Sequence, residues 1–259
     1  MFFRNLFSVA FFSVVLFSAS CHSPAHVTQV DVTYDELNKQ DNQFDSATDA
    51  IIHPYKDSLD KLMNVVVAHS DVEMAKENGK TETLLGNFVS DLCLEKILSS
   101  EFKSPNVAGT ICLFNNGGFR SSLPKGTITR GNIFELMPFD NELDLVTLNG
   151  KQMWELLKFV AMSGGEPIAG LKIGVQLDKT PGTISIQGQP FDSTKTYGIV
   201  TYDYLANGGD KMDFFKNPIA LTATGIKIRD SILDYCEEQT AKGKSITATM
   251  DGRFYYETR

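Results

Sequence analysis

The sequence predicts an α+β fold in which a mixed β-sheet is flanked by helices. Short strand-like segments follow one another closely among well-separated helical segments, which is not the pattern of a regular βαβ repeat. The chain has 259 residues, of which 42% are hydrophobic and 22% are charged, as in an ordinary globular protein. No internal repeat is visible, and no linker rich in Pro or Ser follows residue 50, so we expect one main domain over residues 50–259.

In the first half of the chain, the spacing of apolar residues predicts two helices and one buried strand. Before them, residues 29–33 offer a short strand within a polar stretch. Apolar residues recur at three- and four-residue steps over residues 51–67, and we expect Pro54 to begin that helix because its missing N–H is harmless in a first turn. A second helix is predicted over residues 83–98, and an apolar run over residues 107–114 predicts the buried strand. The buried stripe of the second helix comprises Leu85, Phe88, Val89, Leu92 and Cys93.

The second half of the chain alternates shorter elements with turns. Asn132 is expected to cap a short helix over residues 133–137, which Pro138 ends, and Gly164 is expected to end a longer helix. Further strands and a last helix follow: strands over residues 143–148, 171–177, 183–187 and 196–201, and a helix over residues 226–238.

The charge balance argues against nucleic acid as a partner. The chain carries 24 Lys and Arg residues against 32 Asp and Glu residues, a net charge of −8 at pH 7. A surface that follows a phosphate backbone needs clustered positive charge, which this composition does not supply. A small anionic ligand held by one or two local arginines is compatible with it.

The N-terminus has the pattern of a secretory signal peptide over residues 1–20. A positive charge at Arg4 is followed by an apolar run from Leu6 to Phe17 and then by small residues. These twelve residues would span roughly 18 Å as a helix. That length is short for a hydrocarbon core of about 30 Å, so an uncleaved membrane anchor is the weaker alternative.

Cys21 directly follows the expected cleavage point. Together with Ser18, Ala19 and Ser20 it resembles a bacterial lipobox, in which Ser18 replaces the usual Leu. We therefore expect lipidation of the Cys21 thiol, with residues 21–49 as a polar tether. The protein would then be a secreted lipoprotein anchored to a membrane, on the periplasmic side or at the outer surface.

The other cysteines, Cys93, Cys112 and Cys236, fall on apolar faces of predicted helices or in a predicted strand. We expect them to be small buried hydrophobic residues, and one disulfide among them is an open alternative. No CxxC pair indicates redox or zinc chemistry.

The sequence carries no common metal-binding or nucleophilic motif. The histidines are His22, His26, His53 and His69, the first two of them in the tether. The sequence contains no HxH, HExxH, GxSxG or P-loop pattern. We expect no metal site in this chain, and we interpret His53 and His69 as solvated residues near the ends of a helix.

Three loop segments carry the residues of a candidate ligand pocket: NNGGFR at residues 115–120, MPFDNEL at residues 137–143 and YDYLANGGD at residues 202–210. The glycine pairs allow positive φ and a close approach of the backbone to a ligand. Phe139 and Tyr204 can stack on the two faces of a base, and Asn115 can contact its edge. Arg120 suits an anion, and Asp210 can accept from two neighbouring ribose hydroxyls. Taken singly, glycine pairs are also common in turns and Phe139 also fits a core.

Several stretches resemble the C-terminal domain of the 5′-nucleotidase and UDP-sugar hydrolase family: ETLLGNFVSDLCLEKI, NNGGFRSSLPKGTITRGNIFELMPFDNELDLVTLNG, TYGIVTYDYLANGGDKMDFF and DGRFYY. The resemblance covers roughly residues 50–259 and implies the fold of that domain. It also implies nucleotide binding, with the base between Phe139 and Tyr204, a base contact from Asn115, a sugar contact from Asp210 and an anion contact from Arg120. The implied substrate-binding residues are Asn115, Gly117, Gly118, Arg120, Phe139, Tyr204, Asn207, Gly208, Gly209 and Asp210.

Three departures from the family pattern shape the expected function. Family members carry a preceding metallophosphatase domain with two metal ions, whereas only the tether precedes the similar region here. An arginine that often lies before the LGN motif is absent, with Lys80 as its nearest substitute, and Tyr204 stands where some members have Phe. The resemblance therefore implies no catalytic residue and no cofactor in this chain.

We expect a nucleotide- or nucleoside-binding lipoprotein that acts in trans with a separate metallophosphatase chain in extracytoplasmic nucleotide catabolism. Two divalent metals are expected only in that partner, and the chain alone should not hydrolyse nucleotides. The alternative is a stand-alone, non-catalytic nucleotide-binding lipoprotein.

Overall fold

The computed structural model describes residues 45–77 and 81–257 of the chain. The expected signal peptide, Cys21, most of the tether and the short strand at residues 29–33 lie outside the described residues. Residues 50–259 form one compact unit, and of the unit formed by residues 1–49 only residues 45–49 are described. No helix in the described ranges combines the length and the hydropathy that a membrane span requires.

The described residues form α-helices α1–α6 and β-strands β1–β11. The helices are α1 (Ser46–Met63), α2 (Leu84–Ser99), α3 (Arg130–Leu136), α4 (Gly150–Ser163), α5 (Asp203–Ala206) and α6 (Ile228–Ala241). The strands are β1 (Val66–Ser70), β2 (Thr110–Leu113), β3 (Gly126–Thr129), β4 (Glu142–Asn149), β5 (Ile168–Ala169), β6 (Leu171–Val175), β7 (Pro181–Ile186), β8 (Gln189–Pro190), β9 (Thr196–Tyr202), β10 (Ala220–Lys227) and β11 (Phe254–Tyr256). Short 3₁₀ turns occupy Asn116–Gly118, Gly209–Lys211 and Asp213–Phe215.

The predicted α+β fold is confirmed, and the main sheet is mixed. It has the order β10-β4-β9-β2-β5, in which β2 and β9 run parallel and the other neighbours are antiparallel. A four-stranded sheet, β11-β6-β7-β8, and the antiparallel pair β1-β3 complete the strands of the described residues. The sequence suggested a single sheet because strand pairing between distant segments leaves no local signal.

The core lies between the main sheet and the helices α2 and α4. Strands β4 and β9 are buried along almost their whole length, and both helices pack against them or their neighbours. The predicted stripe of α2 is confirmed, since all its members are buried: Leu85, Phe88, Val89, Leu92 and Cys93. The Thr83 side chain accepts from Gly86 N at 2.9 Å and caps this helix, close to the predicted start.

Helix α1 begins eight residues before Pro54, so the prediction that Pro54 begins it is wrong. The Asp45 carboxylate provides the start instead, because it accepts from Ala47 N at 3.0 Å and from the Thr48 hydroxyl at 2.6 Å. The helix also ends at Met63, since Val66 and Val67 belong to β1. None of its side chains is buried, and its larger apolar residues are exposed: Ile51, Ile52, Tyr55, Leu59 and Leu62.

Other boundaries also differ from the predictions. Thr129 rather than Asn132 caps α3, and Asn132 at the third position reciprocates by accepting from Thr129 N at 2.9 Å. Strands β3 and β10 are among those that the local sequence does not predict. Within the described residues, β10 is an edge strand that pairs with β4 alone and is mostly exposed, so it lacks the apolar signal of a core strand. Strand β2 begins at Thr110, three residues later than predicted.

Cys93, Cys112 and Cys236 are buried free thiols, as their apolar neighbourhoods predicted. Burial raises the pKa of all three thiols, so they pack as small hydrophobic residues. The alternative of a disulfide among them is not realised.

Candidate functional site

The three predicted loop segments meet around a cavity of about 360 Å³. This volume lies at the lower end of the range for small-molecule sites. Seven predicted residues line it: Asn115, Gly117, Gly118, Arg120, Phe139, Tyr204 and Asp210. Asn141 and Tyr202 line it as well and were not predicted. Asn207, Gly208 and Gly209 were predicted but are not part of its wall.

The order of the main sheet explains why these loops meet. Because β2 and β9 are parallel, their carboxyl ends lie at the same edge, and the chain continues from them into residues 115–120 and 202–210. Strand β4 is antiparallel to β9 with Leu143 opposite Tyr202, so the loop that precedes β4 reaches the same edge. The carboxyl edge of a sheet thus gathers segments that are far apart in sequence.

A chain of hydrogen bonds forms one wall of the cavity. The Tyr202 hydroxyl donates to Asn115 Oδ1, and Asn115 Nδ2 donates to Asp210 Oδ2. The Tyr204 hydroxyl donates to Asp210 Oδ1 at 3.0 Å. The rings of Tyr202 and Tyr204 are stacked with centroids 6.3 Å apart. Burial and the nearby carboxylates raise the pKa of Tyr202, which keeps its hydroxyl protonated as a donor.

The two amides at the cavity differ in availability. Asn115 is only 6% exposed, and both ends of its amide are already engaged with Tyr202 and Asp210. Asn141 donates from Nδ2 to Asp203 Oδ1 at 2.8 Å, and its amide oxygen meets no donor within the described part of the chain. The geometry therefore favours Asn141 as the amide that faces a ligand. In the sequence Asn115 stands out instead, because it belongs to the segment with the first glycine pair.

Phe139 lies on the loop that precedes β4, lines the cavity and is 45% exposed, so it is not a core residue. The Arg120 guanidinium carbon lies 5.7 Å from its ring centroid, within cation–π range. Arg229 fixes the backbone of this loop, because its Nη1 atom donates to the carbonyl oxygens of Met137 and Phe139, both at 3.3 Å. Arg229 was missed by sequence reasoning, since a single Arg in the first turn of a helix usually indicates a solvated residue.

The glycines of the site act through close packing more than through positive φ. Gly117 and Gly118 do not have positive φ, contrary to the expectation from their sequence. A Cβ on Gly118 would lie 2.9 Å from both Asn115 Oδ1 and the Tyr202 hydroxyl, so a larger residue would displace this hydrogen-bonded pair. A Cβ on Gly209 would lie 2.5 Å from the Tyr204 ring, and Gly208 adopts φ +87°. The second glycine pair therefore shapes the loop that presents Tyr204 and Asp210.

Glu166 supports the first loop from outside the cavity. Its Oε2 atom accepts from Asn116 N at 2.9 Å and from Asn116 Nδ2 at 3.0 Å. Burial, together with the charge of Asp210, raises the pKa of Glu166 to about 7. No local pattern signals this residue, because its contact with Asn116 joins positions 50 residues apart.

The described residues do not fit a metal centre. Within residues 45–77 and 81–257, no three His, Cys, Asp or Glu side chains come together as ligands. His53 lies in α1 and His69 in β1, and Lys80, the expected substitute for the missing arginine, lies outside the described residues. A larger open groove of about 1080 Å³ includes residues 106–108 and 189–197, but none of the predicted site residues lines it.

Comparisons with known proteins agree with this architecture. A family model described as 5′-nucleotidase, C-terminal domain, matches residues 66–217. The chain is 26% identical to an apyrase of Tabanus yao over 73% of this chain and 38% of that protein. It is 32% identical to the trifunctional nucleotide phosphoesterase protein YfkN of Bacillus subtilis over 62% of this chain and 12% of that protein. Cell wall protein Lmo0130 of Listeria monocytogenes is 29% identical over 69% of this chain and 24% of that protein.

Two solved structures are also similar. A 5′-nucleotidase precursor from Thermus thermophilus matches with a TM-score of 0.68 and 27% identity, over 82% of this chain and 43% of that chain. The NAD nucleotidase of Haemophilus influenzae matches with a TM-score of 0.59 at 19% identity, over 83% of this chain and 42% of that chain, which is a likeness of fold alone. The present chain thus spans less than half the length of each of these relatives.

Proposed function

Because the chain belongs to the family of 5′-nucleotidase C-terminal domains, we propose that its cavity binds a nucleotide or nucleoside for a hydrolase system of this type. One observation carries the proposal. Two aromatic rings, Phe139 at 45% and Tyr204 at 50% exposure, border the same cavity as one carboxylate and one guanidinium. Exposed aromatic rings are costly to leave in water, and a planar base is a ligand that covers them.

The base lies between the rings of Phe139 and Tyr204, with the free amide oxygen of Asn141 at its edge. Stacking of a base on an aromatic ring contributes about 1–3 kcal/mol for each ring and tolerates every base. The preference for one base over another therefore depends on the polar contact. The Asn141 oxygen accepts hydrogen bonds, so it favours a base edge with an exocyclic amino group.

The sugar and phosphate contacts follow from charge. Asp210 accepts from the hydroxyls of a ribose, since a carboxylate offers about four lone-pair sites and the protein uses two of them. Arg120 lies within cation–π distance of Phe139 and is the only cation on the cavity wall in the described structure. A single exposed Arg suits one phosphate group and leaves the remainder of a longer phosphate chain in solvent.

We propose that hydrolysis belongs to a separate metallophosphatase chain that carries two divalent metals. A hydrolase system is supported by relatives that are named as an apyrase of Tabanus yao and a 5′-nucleotidase precursor of Thermus thermophilus. The alternative is a stand-alone protein that binds nucleotides without any catalytic partner.

We further propose that the protein acts outside the cytoplasm as a lipoprotein anchored through Cys21. The signal-like residues 1–20 and the small residues before Cys21 support this location. A relative named as a cell wall protein is consistent with it.

Isothermal titration calorimetry of the mature chain with AMP, UMP, adenosine and UDP-glucose tests the binding function. We expect saturable binding of at least one of these compounds. Absence of binding by all of them in the folded protein contradicts the proposal. In a parallel assay with Mn²⁺, Zn²⁺ or Ca²⁺, the chain alone should release no phosphate from AMP, and turnover near 1 per second, within the ordinary enzyme range, contradicts the need for a partner.

A further inference from the structure

Tyr204 makes two hydrogen bonds with Asp210 in addition to lining the cavity. Its hydroxyl donates to Asp210 Oδ1 at 3.0 Å and accepts from Asp210 N at 3.4 Å. The Tyr204 hydroxyl is therefore bonded to both the side chain and the backbone of Asp210. A phenylalanine at this position keeps the aromatic face but loses both bonds.

Asp210 needs such support because its backbone is left-handed, with φ 50° and ψ 30°. This region is disfavoured for residues other than glycine, although Asp tolerates it better than most. In this conformation the carboxylate projects into the cavity, where Asn115 holds Oδ2 and Tyr204 holds Oδ1. Each oxygen is thus fixed by one donor and keeps lone-pair capacity for a ligand.

Two fixed acceptors side by side match two neighbouring hydroxyl donors. The 2′ and 3′ hydroxyls of ribose form such a pair, whereas a deoxyribose offers one hydroxyl and a dideoxyribose none. We propose that the Tyr204 hydroxyl is a positioning group that holds the Asp210 carboxylate in the geometry that a vicinal diol requires. This inference rests on the proposed nucleotide-binding function, including the ribose contact of Asp210, and adds the residue that positions that contact.

Other carboxylates near Asp210 make the hydrogen bond from the Tyr204 hydroxyl important for its position. Asp203 and Glu166 also lie near this wall, and both raise the pKa of Tyr202 together with Asp210. Carboxylates that repel one another need donors to keep a fixed geometry. Removal of the Tyr204 hydroxyl leaves Asn115 as the one protein side chain that donates to Asp210 among the described residues.

The test compares Tyr204→Phe with the wild type by calorimetry, with adenosine, 2′-deoxyadenosine and 2′,3′-dideoxyadenosine, and with the uridine series in parallel. We expect Tyr204→Phe to weaken ribonucleoside binding about 5- to 20-fold, which is less than the roughly 10- to 150-fold for a lost direct hydrogen bond to a charged group, because Tyr204 acts through Asp210. Binding of the dideoxynucleoside should change less than about twofold, since it makes no diol contact. Tyr256→Phe, which changes a half-exposed tyrosine outside the cavity, is the matched control.

A double-mutant cycle separates positioning from direct contact. Asparagine at position 210 tolerates the left-handed backbone, so Asp210→Asn should still fold. If Tyr204 acts through the carboxylate, adding Tyr204→Phe to Asp210→Asn should have no further effect on ribonucleoside binding. An equal loss for ribonucleosides and dideoxynucleosides, or no loss for either, overturns the inference while leaving nucleotide binding intact. Failure of the wild type to bind any nucleoside or nucleotide overturns the proposed function instead.

Discussion

The Nη1 atom of Arg229 lies 3.3 Å from the backbone carbonyl oxygen of Phe139 and donates a hydrogen bond to it. The same side chain pairs with Asp140 and stacks over Phe134, with its guanidinium carbon 4.4 Å from the ring centroid. Arg229 is 8% exposed, whereas the Asp140 carboxylate that pairs with it lies at the surface. A residue of α6 therefore sets the position of the exposed ring that borders the cavity, 90 residues earlier in the chain.

Replacing Arg229 with Lys should weaken nucleotide binding. Lysine keeps the charge, but it lacks the planar guanidinium that donates to two carbonyl groups and a carboxylate at once. The loop that carries Phe139 therefore loses its fixed position. We expect affinity measured by calorimetry to fall about 5- to 20-fold, which is less than for a lost direct hydrogen bond to a charged group, because Arg229 acts on the ligand only through the loop. Arg130→Lys is the matched control, because Arg130 pairs with Glu237 at the surface, away from the cavity. Unchanged affinity in a folded Arg229→Lys protein would show that the loop is held by other contacts.

Phe139→Ala should separate ligand binding from folding. The ring is 45% exposed, so its removal should change the melting temperature little, whereas loss of stacking should weaken nucleotide binding roughly 5- to 150-fold. Phe114→Ala gives the contrasting case, because Phe114 is fully buried and a core Phe→Ala change costs about 3–5 kcal/mol of stability. Tyr256→Ala controls for removal of an exposed ring elsewhere. A Phe139→Ala protein that unfolds, or that binds as tightly as the wild type, contradicts the stacking role.

Glu166 should make stability depend on pH. Burial raises its pKa from the ordinary value of 4.5 to about 7, so the folded state binds more protons than the unfolded state between these values. This contribution to stability is present in full below about pH 4.5 and is lost as the pH rises to about 7. We expect the melting temperature of Glu166→Gln, relative to wild type, to increase between pH 5 and pH 8.

The difference between the two proteins is the informative quantity in this experiment. Burial also raises the pKa of Asp144, to about 6, and its titration contributes to both melting curves equally. In the Glu166→Gln variant the side-chain amide oxygen can still accept from Asn116 N, so the loop keeps its main contact. A melting-temperature difference that is constant between pH 5 and pH 8 would mean that Glu166 titrates near its ordinary value.

Cys21→Ala tests the proposed anchor. If lipidation of the thiol holds the protein at the membrane, the variant should lose metabolic labelling by palmitate and move to the soluble fraction. Cys93→Ala, which removes a buried thiol within the folded domain, should keep its labelling and serves as the control. Retention of the Cys21→Ala protein in the membrane fraction would instead indicate an uncleaved N-terminal helix.

By itself, the sequence determined the features that depend on neighbouring residues. The stripe of α2 and the end of α4 at Gly164 follow from helical spacing and from the left-handed conformation that glycine adopts there. The three loop segments could be predicted to lie outside the core because aromatic and charged residues beside glycine pairs are unusual in a core. Seven of the ten predicted substrate-binding residues line one cavity for this reason.

Only the tertiary structure decided which residues of those segments line the cavity and what holds them in place. The parallel pairing of β2 with β9 brings Asn115 beside Tyr202 and Asp210. Both ends of the Asn115 amide form hydrogen bonds with these two residues. The roles of Arg229 and Glu166, likewise, depend on contacts between residues 50 or more positions apart. Such contacts are set by the register of the strands and the packing of the helices. The domain as a whole pairs its buried polar groups, and the pairs join residues that are distant in sequence. For this reason they leave no periodic pattern in the local sequence.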